Sequence, residues 1–482
     1  MFKSDPERPP QYRRFDRATP EWYLDAKLGI FVHWGPYSVP AWAEPIGALG
    51  TIEKEYWFRH NPYAEWYYNT IRIEGAPARE HQQEVYGGAP YDDFLDAWTA
   101  DRFDADDVLA LVASTGARYF VPTTKHHDGV TLWDAPGTGD RNTVHRGPRR
   151  DLIEEFRAAS QAAGVRFGVY YSGGLDWHVG QNPPITADDL PETRPVDAEY
   201  AAYAFDHVAD LVARYRPEVL WGDIEWPDAG KPEGPKSLVE MFDLFYTARP
   251  DGVVNDRWGE THWDFRTSEY ENGLEVEGGD AWENCRGVGY SFGYNRLEDE
   301  STSLSGPAAI RHFVDVVARG GNFLLNIGLT AEGLVPELQR RTLEALGAFN
   351  AEHGAAIFGS RPAGPLASPS DPATEEGGAG RPWVRWTRSA DALHAFVWAS
   401  GDASAGDASA GDASAAGPFE LSFDPTAVDV ASARLSDGAP VTVEVSPATP
   451  HDDRPGALAR VLVHGVGAAS PAQPIRIDFA LV

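Results

Sequence analysis

The segment WGDIEWPDAGK, residues 221–231, offers the most definite chemistry in the chain. Asp223 closes an apolar run, lies between Trp221 and Trp226, and is followed by a second carboxylate, Glu225. A carboxylate at the end of a strand and walled by indoles suits the nucleophile of a sugar-cleaving enzyme. The rings exclude water, and the negative charge stabilises the cation that develops at an anomeric carbon. A capping or salt-bridged aspartate is the competing reading. Glu225 reads as a loop residue, paired or solvated.

Glycoside cleavage needs a second carboxyl that first gives a proton and then takes one. Glu269, in TSEY, closes another run downstream, with Glu271, Glu275, Glu277 and Glu283 as nearby alternatives. A separation of about 5–5.5 Å would mean retention of configuration and about 6.5–9.5 Å inversion. The acid must keep its proton near neutrality while the nucleophile is ionised, which unequal burial can arrange.

His126 and His127 lie in TKHHDG, and His33 ends LGIFVHW. Metal ligation is their obvious rival use. No HExxH accompanies them, and strand neighbours face opposite ways, so the reading is no metal, with imidazoles bonding sugar hydroxyls. Glu65 and Trp66, in NPYAEWY, look like a hydroxyl-binding pair. P-loop and CxxC signatures are absent.

These residues have to be positioned by something. Short apolar runs recur at 28–34, 117–124, 165–172, 218–223, 252–258, 265–270 and 321–328. Amphipathic stretches separate several of them: Asp104 to Gly116, Asp151 to Ala163, Asp197 to Arg216 and Pro307 to Arg319. That alternation predicts parallel strands with helical crossovers. No GxGxxG follows the first strand, which weighs against a dinucleotide fold. His33, His126, His127, Tyr171, Asp223, Arg257 and Glu269 fall at the ends of different strands. Only a barrel brings all those ends to one mouth, so the expected fold is an α/β, (β/α)8-like TIM barrel. Not all eight strands can be placed, and residues 35–100 form a long aromatic-rich excursion after the first.

Beyond about residue 355 the pattern turns to period two with no helix between the runs: WVRWTR, LHAFVWA, FELSFD, PVTVEVS, ARVLVHG and PIRIDFALV. This predicts a C-terminal antiparallel β-sandwich. The expected domains are therefore 1–355 and 356–482, with a Gly/Asp/Ala/Ser repeat at 400–417 read as a hairpin loop.

A formal charge of −32 argues against nucleic acid and anionic membranes as partners, while a neutral glycoside is indifferent to it. The single cysteine, Cys285, cannot form an intrachain disulfide and fits a reducing compartment. The first residues have no apolar core of the signal-peptide kind, so a cytoplasmic protein is expected. A homo-oligomer is a default expectation with no residue behind it.

Taken together, GIFVHWG, NPYAEWY, TKHHDG, GVYYSGGLDW, VLWGDIEWP, NDRWG, TSEY, SFGYN and GGNFLLNIG resemble, in order, the motifs of the α-L-fucosidases of glycoside hydrolase family 29. The resemblance spans roughly residues 15 to 360. It implies retaining hydrolysis of terminal α-L-fucosides, on a fucoside or fucosylated glycan, without a cofactor. It assigns Asp223 as nucleophile and Glu269 as acid/base, the latter less securely because its position varies in the family. It gives His33, Glu65, Trp66, His126, His127 and Arg257 as sugar contacts. Phe31, Tyr171, Trp221 and Phe292 match an aromatic wall around the C6 methyl, which favours a 6-deoxy sugar because no hydroxyl has to be desolvated there. Glu225 departs from relatives that carry a small residue at that point. The alternatives are a same-scaffold glycosidase for a fucose-like sugar and an inactive fucose-binding lectin.

Overall fold

A computed structural model describes residues 8–180, 182–187, 193–270, 280–370, 382–398, 419–445, 458–464 and 473–482. The chain divides into two compact units: Met1–Leu24, Leu28–Ser303 and Leu324–Arg340 form one, and Asp25–Lys27, Leu304–Phe323 and Arg341–Val482 the other.

An eight-stranded sheet organises the first unit. Its strands are β1 (Leu28–His33), β2 (Tyr119–Lys125), β3 (Arg166–Ser172), β4 (Val219–Asp223), β5 (Val253–Val254), β6 (Arg266–Glu269), β7 (Trp282–Gly287) and β8 (Asn322–Gly328). Their order is β5-β4-β3-β2-β1-β8-β7-β6, which is sequence order read around a circle. The pairs from β1 to β5, and β6 with β7, are parallel. This is the TIM barrel expected from the alternation of runs and helices. At the β5/β6 seam Asp264 N and Phe265 N both donate to Val254 O.

Seven of the strands coincide with the runs; β1 to β4 and β8 do so because a strand buried on both faces has no polar side to interrupt it, whereas β6, RTSE, is mostly half-buried. β1 and β8 are buried throughout. β7, WENCRG, was not among the runs, because polar Glu283, Asn284 and Arg286 break up its apolar character. The run at 252–258 supplies only the two-residue β5.

The crossover helices start where acidic or hydroxyl caps stand. Asp104 accepts from Asp106 N and Asp107 N, Asp151 from Glu154 N, and Asp197 from Tyr200 N. Each cap is worth about 1 kcal/mol. The helix Leu152–Ala163 buries Leu152, Ile153, Phe156 and Ala159 and packs on β2 and β3. The excursion at 35–100 holds short helices, among them Lys54–Arg59, Tyr67–Thr70 and Pro77–Tyr86.

The second unit contains the helix Gly306–Ala318, capped by Ser305 with proline tolerated in its first turn, and antiparallel sheets. Its strands are β9 (Arg361–Pro362), β10 (Trp383–Arg388), β11 (Ala392–Trp398), β12 (Phe419–Phe423), β13 (Val428–Leu435), β14 (Thr442–Val445), β15 (Ala459–His464) and β16 (Ile475–Leu481). One sheet runs β13-β16-β11-β10-β9 and the other β12-β15-β14. Alternate residues such as Leu393, Ala395, Val461, Val463, Ile477 and Phe479 form a common core, which gives the sandwich. β13 escaped the pattern reading because VDVASARL carries few large apolar residues. The repeat at 400–417 lies outside the described residues. Among those described, no helix is long and apolar enough to cross a membrane.

Candidate active site

β4 ends at Asp223, and its register with β3 sets Ser172 opposite Asp223 and Tyr170 opposite Trp221. Three donors converge on the buried Asp223 carboxylate. Tyr170 Oη donates to Oδ2 at 2.8 Å, Arg257 Nη1 to Oδ1 at 3.2 Å, and Ile224 N to Oδ1 at 3.0 Å. Such a cradle favours negative charge at this point.

Arg257, just past β5, joins the two candidate catalytic groups. Its other terminal nitrogen, Nη2, lies 2.9 Å from Glu269 Oε2, and its Nε donates to Thr267 Oγ1 at 3.0 Å. Its guanidinium carbon stands 4.7 Å from the centroid of Trp221. Burial opposes its charge, but Cys285, Glu269, Asp223 and Asp256 outweigh that and hold its pKa well above the ordinary value. One fork grasps both carboxylates, Nη1 on Asp223 and Nη2 on Glu269. Tyr63 Oη donates to the other oxygen of Glu269 at 2.9 Å.

The backbone is strained beside both carboxylates. Ile224 and Glu225 have φ of 58° and 73°, and Tyr270, directly after Glu269, has 50°. Left-handed conformations cost non-glycine residues about 1–3 kcal/mol and cluster at functional sites. Gly174 allows the turn after Asp223: a Cβ there would lie 1.7 Å from Ile224 O. Glu225 turns to Lys231 Nζ at 2.8 Å and Arg194 Nη2 at 3.3 Å, so its charge is compensated by two cations.

Hydrogen-bond logic fixes two imidazoles. Asn326 Nδ2 donates to Phe292 O at 2.6 Å, which turns its Oδ1 toward His33 Nδ1 at 2.7 Å. His33 therefore carries its proton on Nδ1 and keeps Nε2 as an acceptor. Ser172 Oγ donates to Leu175 O and so accepts from His127 Nδ1 at 2.7 Å, which gives His127 the same tautomer. Burial lowers the pKa of His33 to about 4 and of His127 to about 3. The 3.8 Å approach of His127 Nε2 to Asp223 Oδ2 is thus between two acceptors, not an ion pair. His126 is buried, stacks on Tyr170 with ring centroids 5.7 Å apart, and has its pKa pushed well below the ordinary value by burial. Both neighbours reach the site because the β2–β3 register shifts between Thr123 and Lys125 and the chain then leaves the sheet.

Glu65 Oε2 accepts from Gly293 N at 2.7 Å and Ser291 Oγ at 3.1 Å, and burial raises its pKa to about 7. Trp66 packs edge-on against His127 at 5.5 Å. Phe31 contacts His33, Tyr170 and Trp221, and Phe292 contacts His33 and Tyr63.

One expected residue is out of place. Tyr171 faces away from this cluster: its Oη bonds His207 Nδ1 at 3.1 Å and its ring lies beneath Lys125 Nζ at 4.8 Å. Its neighbour Tyr170 occupies the position instead. Residues alternate faces along a strand, so an error of one residue in phase reverses the assignment. The level pairing of Ser172 with Asp223 sets that phase, and a single sequence does not display it. Tyr63, Asn326, Ser172 and Thr267 were also missed, since each acts by holding another side chain. Among the described residues no group of three or more His, Cys, Asp or Glu could hold a metal ion.

Residues 4–355 match the family model for α-L-fucosidase. The chain is 30% identical to an α-L-fucosidase of Dictyostelium discoideum over 372 residues, 75% of this chain and 76% of that one. It is 31% identical to the tissue α-L-fucosidase of Homo sapiens over 356 residues, 72% and 70% of the two chains. A solved structure of an α-L-fucosidase superposes with a TM-score of 0.83 at 35% identity, covering 98% of this chain and all of that one. Thermotoga maritima α-fucosidase in complex with fucose superposes at 0.78 and 36% identity, covering 96% and 97%. The same enzyme in complex with a mechanism-based inhibitor gives 0.78 at 35% identity, with the same coverage. A barrel whose strand ends bring two carboxylates under one guanidinium, in a chain matched by these proteins over most of its length, belongs to the α-L-fucosidase family of glycoside hydrolases.

Proposed function

We propose that the enzyme hydrolyses terminal α-L-fucosides with retention of configuration, Asp223 acting as nucleophile and Glu269 as acid and then base. The observation that carries this reading is the Arg257 fork, which holds Asp223 Oδ1 and Glu269 Oε2 together at the barrel mouth. In the first step an Asp223 oxygen attacks the anomeric carbon while Glu269 protonates the departing glycosidic oxygen. The C–O bond to the aglycone breaks and a fucosyl ester forms. In the second step Glu269 takes a proton from water, whose oxygen attacks the same carbon and releases Asp223. Two inversions give net retention. A mechanism-based inhibitor on the Thermotoga relative fits such a covalent route.

The remaining groups suit a neutral 6-deoxy sugar. His33 and His127 offer Nε2 lone pairs to hydroxyl donors, and Glu65, Trp66 and His126 line the same region. Phe31, Tyr170, Trp221 and Phe292 would form the wall for the C6 methyl, where a hexose hydroxyl would lose hydration without a partner.

The test is Asp223→Ala with p-nitrophenyl α-L-fucoside and added azide. Turnover should vanish, and azide should restore it by attacking the vacated face, giving the inverted β-L-fucosyl azide. Recovery of the ordinary retained sugar would remove Asp223 from the nucleophile's role.

A further inference from the structure

Glu283, on β7, is a buried carboxyl that the proposed reaction does not use. It is fully buried, and three donors meet its two oxygens. Tyr23 Oη at 2.9 Å and the Tyr119 hydroxyl reach Oε2, and Trp221 Nε1 reaches Oε1 at 2.9 Å. Walled in this way it cannot touch a substrate, which removes it from the acids that the sequence left open. Burial raises its pKa to about 7, with the Tyr119, Trp221 and Tyr23 donors pulling the other way.

What Glu283 holds is more informative. The indole of Trp221 supports the Arg257 guanidinium at 4.7 Å, stacks with Tyr170 at 5.7 Å and 24°, and meets Phe31 at 5.1 Å. Arg257 and Tyr170 both donate to Asp223, and Arg257 also holds Glu269. Two residues beyond Glu283, Cys285 places its Sγ 3.7 Å from Arg257 Nη2, so alternate residues of β7 touch Trp221 and Arg257 in turn. The catalytic pair thus rests on a column rising from the barrel interior: Glu283, Trp221, then Arg257 and Tyr170.

We propose that Glu283 and Trp221 form one positioning unit for the catalytic carboxylates. The Nε1–H···Oε1 bond fixes the rotation of the indole, and the indole face sets where Arg257 and Tyr170 hold Asp223 and Glu269. A carboxylate suits the base of this column because it accepts only, and all three neighbours donate to it. Glutamine would turn an N–H toward either the tyrosines or the indole. The inference rests on the assignment of Asp223 and Glu269.

Turnover of p-nitrophenyl α-L-fucoside by the wild type, lost in Asp223→Ala, checks that assignment separately. Glu283→Gln, Trp221→Phe and the double variant then test the column, with kcat and KM measured with and without azide. Each single change should lower kcat about 10- to 100-fold, the scale of a misplacement near 1 Å, with a smaller change in KM. Both break the same bond, so the double variant should match the worse single one and the losses should not multiply. Azide should rescue Glu269→Ala, whose acid is missing, and leave Glu283→Gln unrescued. Losses that multiply, azide rescue of Glu283→Gln, or a wild-type kcat in that variant would overturn the proposal. If Glu283→Gln does not fold, Trp221→Phe carries the test: it removes the Nε1–H donor and keeps a ring, and a kcat within twofold of wild type would overturn the proposal.

Discussion

Replacing Tyr170 by phenylalanine removes one oxygen and with it the 2.8 Å bond to Asp223 Oδ2, while the ring can still pack against Trp221, Phe31 and His126. A hydrogen bond to a charged group contributes about 1.5–3 kcal/mol. At about 1.4 kcal/mol per factor of ten, kcat/KM should fall roughly 10- to 150-fold. Tyr171→Phe deletes the same atom one residue further on. There it costs only a neutral bond to His207 at 3.1 Å, about 0.5–1.5 kcal/mol of stability, and kcat/KM should stay within about twofold. Initial rates on p-nitrophenyl α-L-fucoside, with thermal melting of both variants, measure the contrast. A silent Tyr170→Phe beside a crippled Tyr171→Phe would refute the phase of β3 and the cradle built on it.

Three further outcomes follow from the geometry. Glu65, raised to about 7 by burial, is protonated below that pH in the free enzyme, and sugar hydroxyls donate best to its carboxylate. Binding must then expel a proton, so fucose affinity should weaken as pH falls below about 7, by at most tenfold per unit. Calorimetry from pH 5 to 8 would show this, and a flat wild-type profile would count against the role of Glu65. Arg257→Lys keeps the charge but cannot span Asp223 and Glu269 with one nitrogen, so kcat/KM should drop about 10- to 150-fold through one lost charged bond. A drop under fivefold would show that the fork is dispensable. In Gly174→Ala the new Cβ meets Ile224 O at 1.7 Å, and the strained residue after Asp223 must move. About 1–3 kcal/mol of stability and near 100-fold in kcat should be lost, and a variant equal to wild type in both would contradict that contact.

The fold was legible where physics leaves a continuous mark. β1, β2, β3, β4 and β8 are buried on both sides and read as unbroken apolar runs, and the Asp and Ser caps announce the crossover helices. β7 was not legible, because Glu283 and Asn284 sit inside it and are satisfied by partners distant in sequence. Asp223 and Glu269 could be singled out because each closes a strand, and the motif order named their family. Tyr170 was exchanged for Tyr171 because facing depends on a register set between strands. Tyr63, Asn326 and Ser172 left no mark, since each matters only through the side chain that folding brings against it. Arg257 was placed at a strand end, but its bridging of two carboxylates is a property of the folded sheet, which brings the ends of β4 and β6 to one guanidinium.

The central claim is the double displacement at Asp223 and Glu269, and the anomer of the first product tests it most directly. Proton NMR of p-nitrophenyl α-L-fucoside hydrolysis, recorded before mutarotation, should show α-L-fucose appearing first and the β-anomer growing in later. If β-L-fucose appeared first, the reaction would be a single inverting displacement and Asp223 could not be its covalent nucleophile.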